Sequence, residues 1–313
     1  MQTFEGSNPF PCTILLHRCS VIDETVYTRE GITVAMKVIL VRYAELGLKS
    51  RMVRRRFENL LRDNILSALS SDGVEALLRS DEGRFYAEAD DTEAAVRSLR
   101  RVFGVASVSL AETCSSDLED IRSKAAEYSR GRMREGQSFA VRPRREGSHP
   151  YSSMDVGREA GSAVMLANQD RGVTVDLNDP DFELYVEVRG PRAYLFDSYM
   201  DGPGGLPMGS QGKVLAIVDG ERDALAAWMM MKRGCRAVVL GEAHPLLQRY
   251  DPELRTAQGS VEDSLREDVL GLVMGLGMED MDTVRTLRQP VPLYLPLMGM
   301  DEKEIVRRLE EMV

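Results

Sequence analysis

Residues 214–234, VLAIVDGERDALAAWMMMKRG, read as a strand, a turn and a helix in one unit. The apolar run 214–218 suits a buried parallel strand, and the apolar helix that follows stops at Gly234. In nucleotide-binding α/β units such a turn is small and rich in Gly and Ser, so that the N–H groups of a helix N-terminus converge on phosphate. Here it reads Asp219-Gly220-Glu221-Arg222-Asp223, with three carboxylates where an anion would sit. Two like charges 4 Å apart repel by roughly 1 kcal/mol in water and about 4 kcal/mol at an effective dielectric of 20. The same residues also suit a plain helix start, with Asp219 or Asp223 as cap and Glu221 in the first turn.

The 313 residues, 43 % of them apolar, suffice for two or three folded domains. No apolar run approaches a membrane span and no basic-then-apolar leader opens the chain, so a soluble, cytoplasmic protein with no membrane partner is expected. The four cysteines, Cys12, Cys19, Cys114 and Cys235, form no CxxC pair. Cys12 and Cys19 with His17 make half of a ligand set whose second half is not nearby, so no metal is expected. The net charge of −10 argues globally against nucleic acid. Screening over about 8–10 Å makes local distribution matter more. Residues 36–200 hold 25 basic and 27 acidic side chains, whereas residues 201–313 hold 13 and 19.

Residues 1–35 lack periodicity and form an unmatched extension, either a disordered tail or an artefact of translation truly starting at Met36. From there strands at 37–43, 76–78, 84–88 and 105–111 alternate with helices near 51–70 and 91–102, the β-α-β-β-α-β order of a ferredoxin-like unit. A helix at 116–130 with Ser116 as cap, a strand at 138–142, a helix at 153–167 and strands at 173–177, 183–189 and 193–198 follow. Residues 201–212 are a linker by composition. Beyond the opening strand and helix come a strand at 237–240, an irregular polar stretch to about residue 262, a helix, a strand at 269–274 and a closing helix from Asp301.

Two basic segments stand out. KSRMVRRR, residues 49–56, carries five cations without an acid, and Lys49, Arg51, Arg54 and Arg55 are candidate phosphate contacts. VRPRREGSHPYSS, residues 141–153, adds Arg142, Arg144, Arg145 and His149, with polar and aromatic neighbours that suit RNA more than DNA. A solvated helix face and a charged loop are the plainer alternatives.

These residues match a family. LVRYAELGLKSR (40–51), VRPRREGSHPYSSMDVGREAGSAV (141–164), VTVDLNDPDFELYVEVRGPRAYLF (173–196), GPGGLPMGSQGKVL (202–215), MMMKRGCR (229–236) and LYLPLMGMDEKEI (293–305) occur in an order that resembles the tRNA 4-thiouridine synthase (tRNA sulfurtransferase) family. The resemblance covers about residues 37–313. It implies an α+β and α/β fold: a ferredoxin-like part at 36–78, a THUMP RNA-binding domain at 79–200, a linker at 201–212 and a parallel-sheet, Rossmann-like ATP-pyrophosphatase (PP-loop) domain at 213–313. It further implies a tRNA partner bound through the first two domains, ATP and Mg²⁺ for adenylating a uridine, and a cysteine persulfide as sulfur carrier. The family often forms homodimers, and a sulfur-donor or modification-enzyme partner is implied with it.

The chain departs from the family at the chemistry. The family's pyrophosphate loop reads Ser-Gly-Gly-x-Asp-Ser; the matching positions are Asp219, Gly220, Glu221, Arg222, Asp223 and Ala224. Gly220 and Asp223 survive, and with Lys213 they complete the residual loop set. A Thr-Gly-Glu-Ala-x-Gly-Gln stretch is matched by VMGLGMEDMDTVRTL (273–287), which keeps two glycines but neither the Thr nor the Gln. No cysteine follows Cys235, so the sulfur-accepting position is empty, and a family strand and helix are expected to be missing around residues 244–262. The cofactors and catalytic residues of this chain stay unassigned. The first reading is a THUMP protein that binds tRNA or another structured RNA, its catalytic domain a scaffold or a partner surface to which Met229, Met230 and Met231 contribute unless they are core. The second is a divergent sulfurtransferase that adenylates with Arg222, Asp223 and Lys213 and takes sulfur from an external donor. The third is a small-molecule or protein-binding fold without RNA.

Overall fold

The computed structural model describes residues 37–43, 50–81, 83–264, 268–288 and 290–312. The expected tail at 1–35, with Cys12, His17 and Cys19, lies outside the described residues, as do Lys49 and the side chain of Arg51. Strand β1 (Lys37–Tyr43) leads into helix α1 (Arg51–Ser71), strands β2 (Ala76–Asp81) and β3 (Arg84–Ala89), helix α2 (Thr92–Leu99) and strand β4 (Val105–Ser115). Helix α3 (Leu118–Arg130), strand β5 (Ser138–Glu146), helix α4 (Ser153–Ala167) and strands β6 (Thr174–Val175), β7 (Phe182–Arg189), β8 (Arg192–Phe196) and β9 (Met200–Asp201) follow. All nine strands share one sheet of order β2-β3-β1-β4-β8-β7-β5-β6, with β9 paired to β4.

Local chemistry explains these elements. Helix α1 buries Phe57, Leu61, Ile65 and Leu69, one residue per turn, against Ile39 and Val41. Helix α4 opens on a capping box, in which Ser152 Oγ accepts from the Asp155 N–H and the Asp155 carboxylate accepts from the Ser152 N–H. Helix α3 starts at Leu118 with Asp117 as cap, not at Ser116, because the Ser115 hydroxyl accepts from the Asp117 N–H and holds the turn. Strand β6 is cut to two residues because the Asp176 carboxylate accepts from the N–H groups of Asn178 and Asp179, a side-chain turn that ends it.

Register fixes the faces. Ile39 pairs with Leu110, and Glu112, two residues on, pairs with Leu195, so the cores under α1–α2 and under α3–α4 lie on the same side of the sheet. On the other side Val38, Leu40, Tyr86, Tyr194 and Phe196 are buried among strand residues alone. They are buried because the sheet curls. The rings of Tyr86 and Tyr194 stand 5.2 Å apart, although β1 and β4 lie between their strands. A flat sheet would separate them by roughly 14 Å.

Glu187 sits at the centre of this concave side, 2 % exposed. Arg84 pairs with it, Arg42 Nη2 lies 3.1 Å away and Arg189 Nε lies 3.9 Å away. The Arg42 guanidinium also covers the rings of Tyr199 and Phe196 at 4.4 and 4.8 Å. Burial pulls the Arg84 guanidinium below its usual pKa, and Glu187 opposes that shift.

The C-terminal unit is a parallel sheet of order β12-β11-β10-β13-β14. It comprises β10 (Lys213–Ile217), α5 (Glu221–Lys232), β11 (Arg236–Leu240), α6 (Pro245–Gln248), β12 (Arg255–Ala257), α7 (Val261–Ser264), β13 (Leu272–Val273), α8 (Met281–Thr286), β14 (Leu293–Tyr294) and α9 (Glu302–Met312). The region expected to lack a strand and a helix therefore holds a one-turn helix, α6, and a three-residue strand, β12. Met231 is fully buried, and Met229 and Met230 pack on the same cluster, which makes the methionine run core. Helix α5 stops as expected: Gly234 has φ +93°, and a Cβ there would run into Ser210 Oγ. Phe103, between α2 and β4, inserts into this unit, its ring 5.6 Å from Trp228 and 5.2 Å from Tyr250.

Replacing Glu187 by Gln leaves Arg42 and Arg84 facing each other without an anion. Loss of one partner from such a buried pair costs about 3–5 kcal/mol. A urea titration of E187Q is expected to show that loss as a lowered midpoint; an unchanged midpoint would remove the cluster from the stability of the fold.

Candidate nucleic-acid interface and phosphate-loop site

Residues 51–56 of the basic run form the first turns of α1. Ser50 stands at the N-cap with extended backbone, and Arg54, Arg55 and Arg56 are exposed while Phe57 turns inward. Tyr43 Oη donates to Glu58 at 2.5 Å and ties the end of β1 to this helix. Burial, then Glu58, raises the Tyr43 phenol well above its usual pKa, so it stays a donor.

The second segment runs along β5 on the opposite side of the sheet. Arg142 pairs in register with Tyr185 and Arg144 with Glu187, so both point to the concave side. Arg142 Nε lies 2.7 Å from Glu183, which also accepts from Tyr185 Oη, so its charge is already matched. Arg144 is exposed. Arg145 Nη1 donates to Gly147 O at 2.6 Å, and His149 Nε2 meets Gly190 O at 2.8 Å with its ring stacked 5.4 Å from Tyr151. These two brace the loop after β5. The structure does not bring the two basic segments onto one face.

One residue absent from the expected set belongs beside Arg144. Tyr199 is 43 % exposed and its ring is set edge-on to Tyr185 and Phe196 and under Arg42. A fixed, half-exposed ring beside cations suits base stacking. It was not legible locally, because it lies in a short connection whose neighbours come from distant strands.

The phosphate-loop positions sit at the carboxyl ends of β10 and β13, where the strand order reverses and open α/β sheets bind ligands. Gly220 is the N-cap of α5, with no side-chain cap, so neither Asp219 nor Asp223 caps the helix as expected. The Asp223 carboxylate instead accepts from the Gly275 N–H at 2.8 Å and the Asp219 N–H at 3.3 Å. Two donors at this crevice are thereby spent on a protein anion. Arg222 pairs with Glu279 and stands 3.6 Å from Glu302, which ties the loop to the segment after β13 and to the start of α9. Glu221 lies in the first turn of α5. Lys213 opens β10, roughly 13 Å along the strand from Ile217, and is not brought to the loop.

The described thiols are poorly placed for sulfur chemistry. Cys235 is buried, which raises its pKa, and Cys114 is pushed up to about 12 by burial and then by Asp120. Among the described residues no three His, Cys, Asp or Glu side chains converge to hold a metal ion, and no helix is long and apolar enough to cross a membrane.

A ferredoxin-like unit continued into a THUMP sheet and followed by a parallel-sheet unit defines a THUMP-domain protein. Residues 38–109 match the ThiI ferredoxin-like domain family, and residues 115–196 match the THUMP domain family. A probable tRNA sulfurtransferase of Aeropyrum pernix is 36 % identical over 332 residues, covering 88 % of this chain and 83 % of that protein. PH1313 from Pyrococcus horikoshii is similar in structure, with a TM-score of 0.76, 30 % identity and coverage of 88 % of this chain and 99 % of the other. A 4-thiouridine synthetase solved with RNA and bound ATP shares the fold at a TM-score of 0.71 and 21 % identity, over 88 % of this chain and 85 % of the other. The chain belongs to the tRNA sulfurtransferase family. It spans about half the length of the Methanosarcina relatives that it matches, 51 % and 49 %.

Because only the thiolate alkylates, Cys114 and Cys235 are expected to stay unmodified by iodoacetamide at pH 8 in the folded chain and to react fully in urea. Peptide-resolved mass spectrometry reads both, and rapid native labelling of either would restore a candidate sulfur carrier.

Proposed function

We propose that this chain binds tRNA or another structured RNA through its ferredoxin-like and THUMP units, and that its C-terminal unit serves as a scaffold without adenylating RNA or carrying sulfur. The observation that carries the second half is the pair Asp219 and Glu221, which place carboxylates where the family's loop has Ser and Gly, at the crevice where that loop binds pyrophosphate. A polyphosphate entering there would meet both charges. Asp223, which the family shares, accepts from the Asp219 and Gly275 amides beside them. Arg222, the one cation of the loop, is engaged by Glu279 and Glu302. The RNA half is supported by family membership and by cations on rigid elements: Arg54 and Arg55 on α1, and Arg144 beside Tyr199 on the concave side. Arg145 and His149 complete the proposed set by shaping the β5 loop, and Arg142 by its place on the concave side beside Glu183.

A divergent active sulfurtransferase, using ATP and an external sulfur donor, is the alternative. Gly220 favours it: a Cβ there would meet nothing within 4 Å, so the loop keeps open space at its one retained glycine.

Binding to bulk tRNA, titrated at several salt concentrations, tests the RNA half. Each phosphate contact contributes about 0.7–0.9 to the slope of log K against log salt. Arg54→Ala with Arg55→Ala is expected to weaken binding and flatten the slope by about 1.4–1.8 while leaving the thermal midpoint nearly unchanged. Binding equal to the parent would remove α1 from the interface, and a flat, salt-insensitive titration of the parent chain would reject an RNA role.

A further inference from the structure

A cleft of about 910 Å³ lies away from the phosphate loop. It separates the C-terminal end of α2 from the far side of the C-terminal unit, with residues 201–203 at its floor. Arg97, Arg100 and Arg101 line one wall, and Lys232 and Arg249 line the other. Lys232 ends α5, whose twelve residues put it about 18 Å from the loop at the helix's other end.

The charge of the cleft is not balanced from within. Its acids are Asp72, Asp201 and Glu311. Asp72 is taken by Arg101 and Ser98, and Glu311 stands 3.5 Å from Arg307 outside the lining. Arg100 Nε donates to the backbone carbonyl of Asp201 at 2.9 Å, which pins one wall to the floor and leaves its charge unmatched. Among the described residues the side chains of Arg97 and Arg249 make no hydrogen bond or ion pair, and Lys232 rests over the Trp228 ring at 5.1 Å. The α2 helix dipole accounts for cations at its C-terminus. It does not account for Lys232 and Arg249 facing them from another unit, in a chain of net charge −10. Like charges on two walls of a cleft repel unless an anion lies between them, and a cleft lined mainly by one sign of charge raises the local concentration of anions.

We infer that this inter-unit cleft is a second anion site that takes the phosphodiester backbone of the bound RNA. Its volume lies near the top of the ~300–1,000 Å³ range of small-ligand pockets. Its cations are spread over two walls rather than converging on one point, which suits a strand passing through. Tyr250, which also lines it, offers a ring beside that path. The inference rests on the RNA-binding reading, and it adds a contact that joins the RNA-binding units to the C-terminal scaffold.

The test is Arg97→Ala with Arg249→Ala in the full chain. Both side chains are exposed, so the thermal midpoint serves as a folding control. Against bulk tRNA the double variant is expected to lose at least about tenfold in affinity near 0.1 M salt and to flatten the salt slope by about 1.4–1.8. Parent affinity and slope in the variant, with the parent chain binding tRNA, would overturn the cleft alone. Failure of the parent chain to bind tRNA would overturn the RNA reading and the cleft with it. Inorganic triphosphate is the second probe: if the variant loses triphosphate binding and keeps tRNA binding, the cleft is a small-polyphosphate site and the backbone assignment falls.

Discussion

A single buried carboxylate, Glu187, holds the curled sheet closed. Arg84 and Arg42 reach it from β3 and β1, across two or more intervening strands, and Arg189 reaches it from its own strand. Each of these ions loses hydration on burial at several kcal/mol, and only their mutual attraction with well-placed hydrogen bonds offsets that loss. Ser109 accepts one such bond from Arg42 and passes another to Ser198 O. The geometry is therefore narrow. It sets the angle between the ferredoxin-like strands and the THUMP strands, and with it the position of Arg144 and Tyr199 on the concave side. The C-terminal unit docks separately, on the ferredoxin-like half, where Phe103 packs against Trp228 and Tyr250.

How much of this was legible follows from the range of each signal. Helix α4 was read at residues 153–167 and is found at Ser153–Ala167, since its apolar period and its cap are local. Strand β1 was read at its observed bounds for the same reason. The curl was not legible: Arg42 and Glu187 are 145 residues apart, and no periodicity announces that two charged strand residues will meet. Strands β12 and β14 have three and two residues, too few to show a pattern, and only their pairing to β11 and β13 defines them, while the strand expected at 269–274 is cut to Leu272–Val273. Of the site, the composition of the 219–223 turn was plain, but the use of Asp223 was not. The sequence offers Asp223 either as a helix cap or as a retained loop residue, and in the structure it bonds Gly275, 52 residues on.

The two ends of α5 have opposite characters. At its N-terminus, where the dipole favours an anion, the protein supplies its own in Asp219, Glu221 and Asp223. At its C-terminus Lys232 joins a cleft in which cations outnumber acids. On the proposed reading, the loop end of α5 no longer draws phosphate and the other end takes the anion, as a scaffold that holds RNA without turning over nucleotide would require.

The most direct test of that account is pyrophosphate release from ATP and Mg²⁺, with and without bulk tRNA lacking 4-thiouridine, with tRNA binding measured in the same sample. The account predicts retained binding and no release above background. Release that depends on tRNA would contradict it, and would mean that the loop from Asp219 to Asp223 still adenylates.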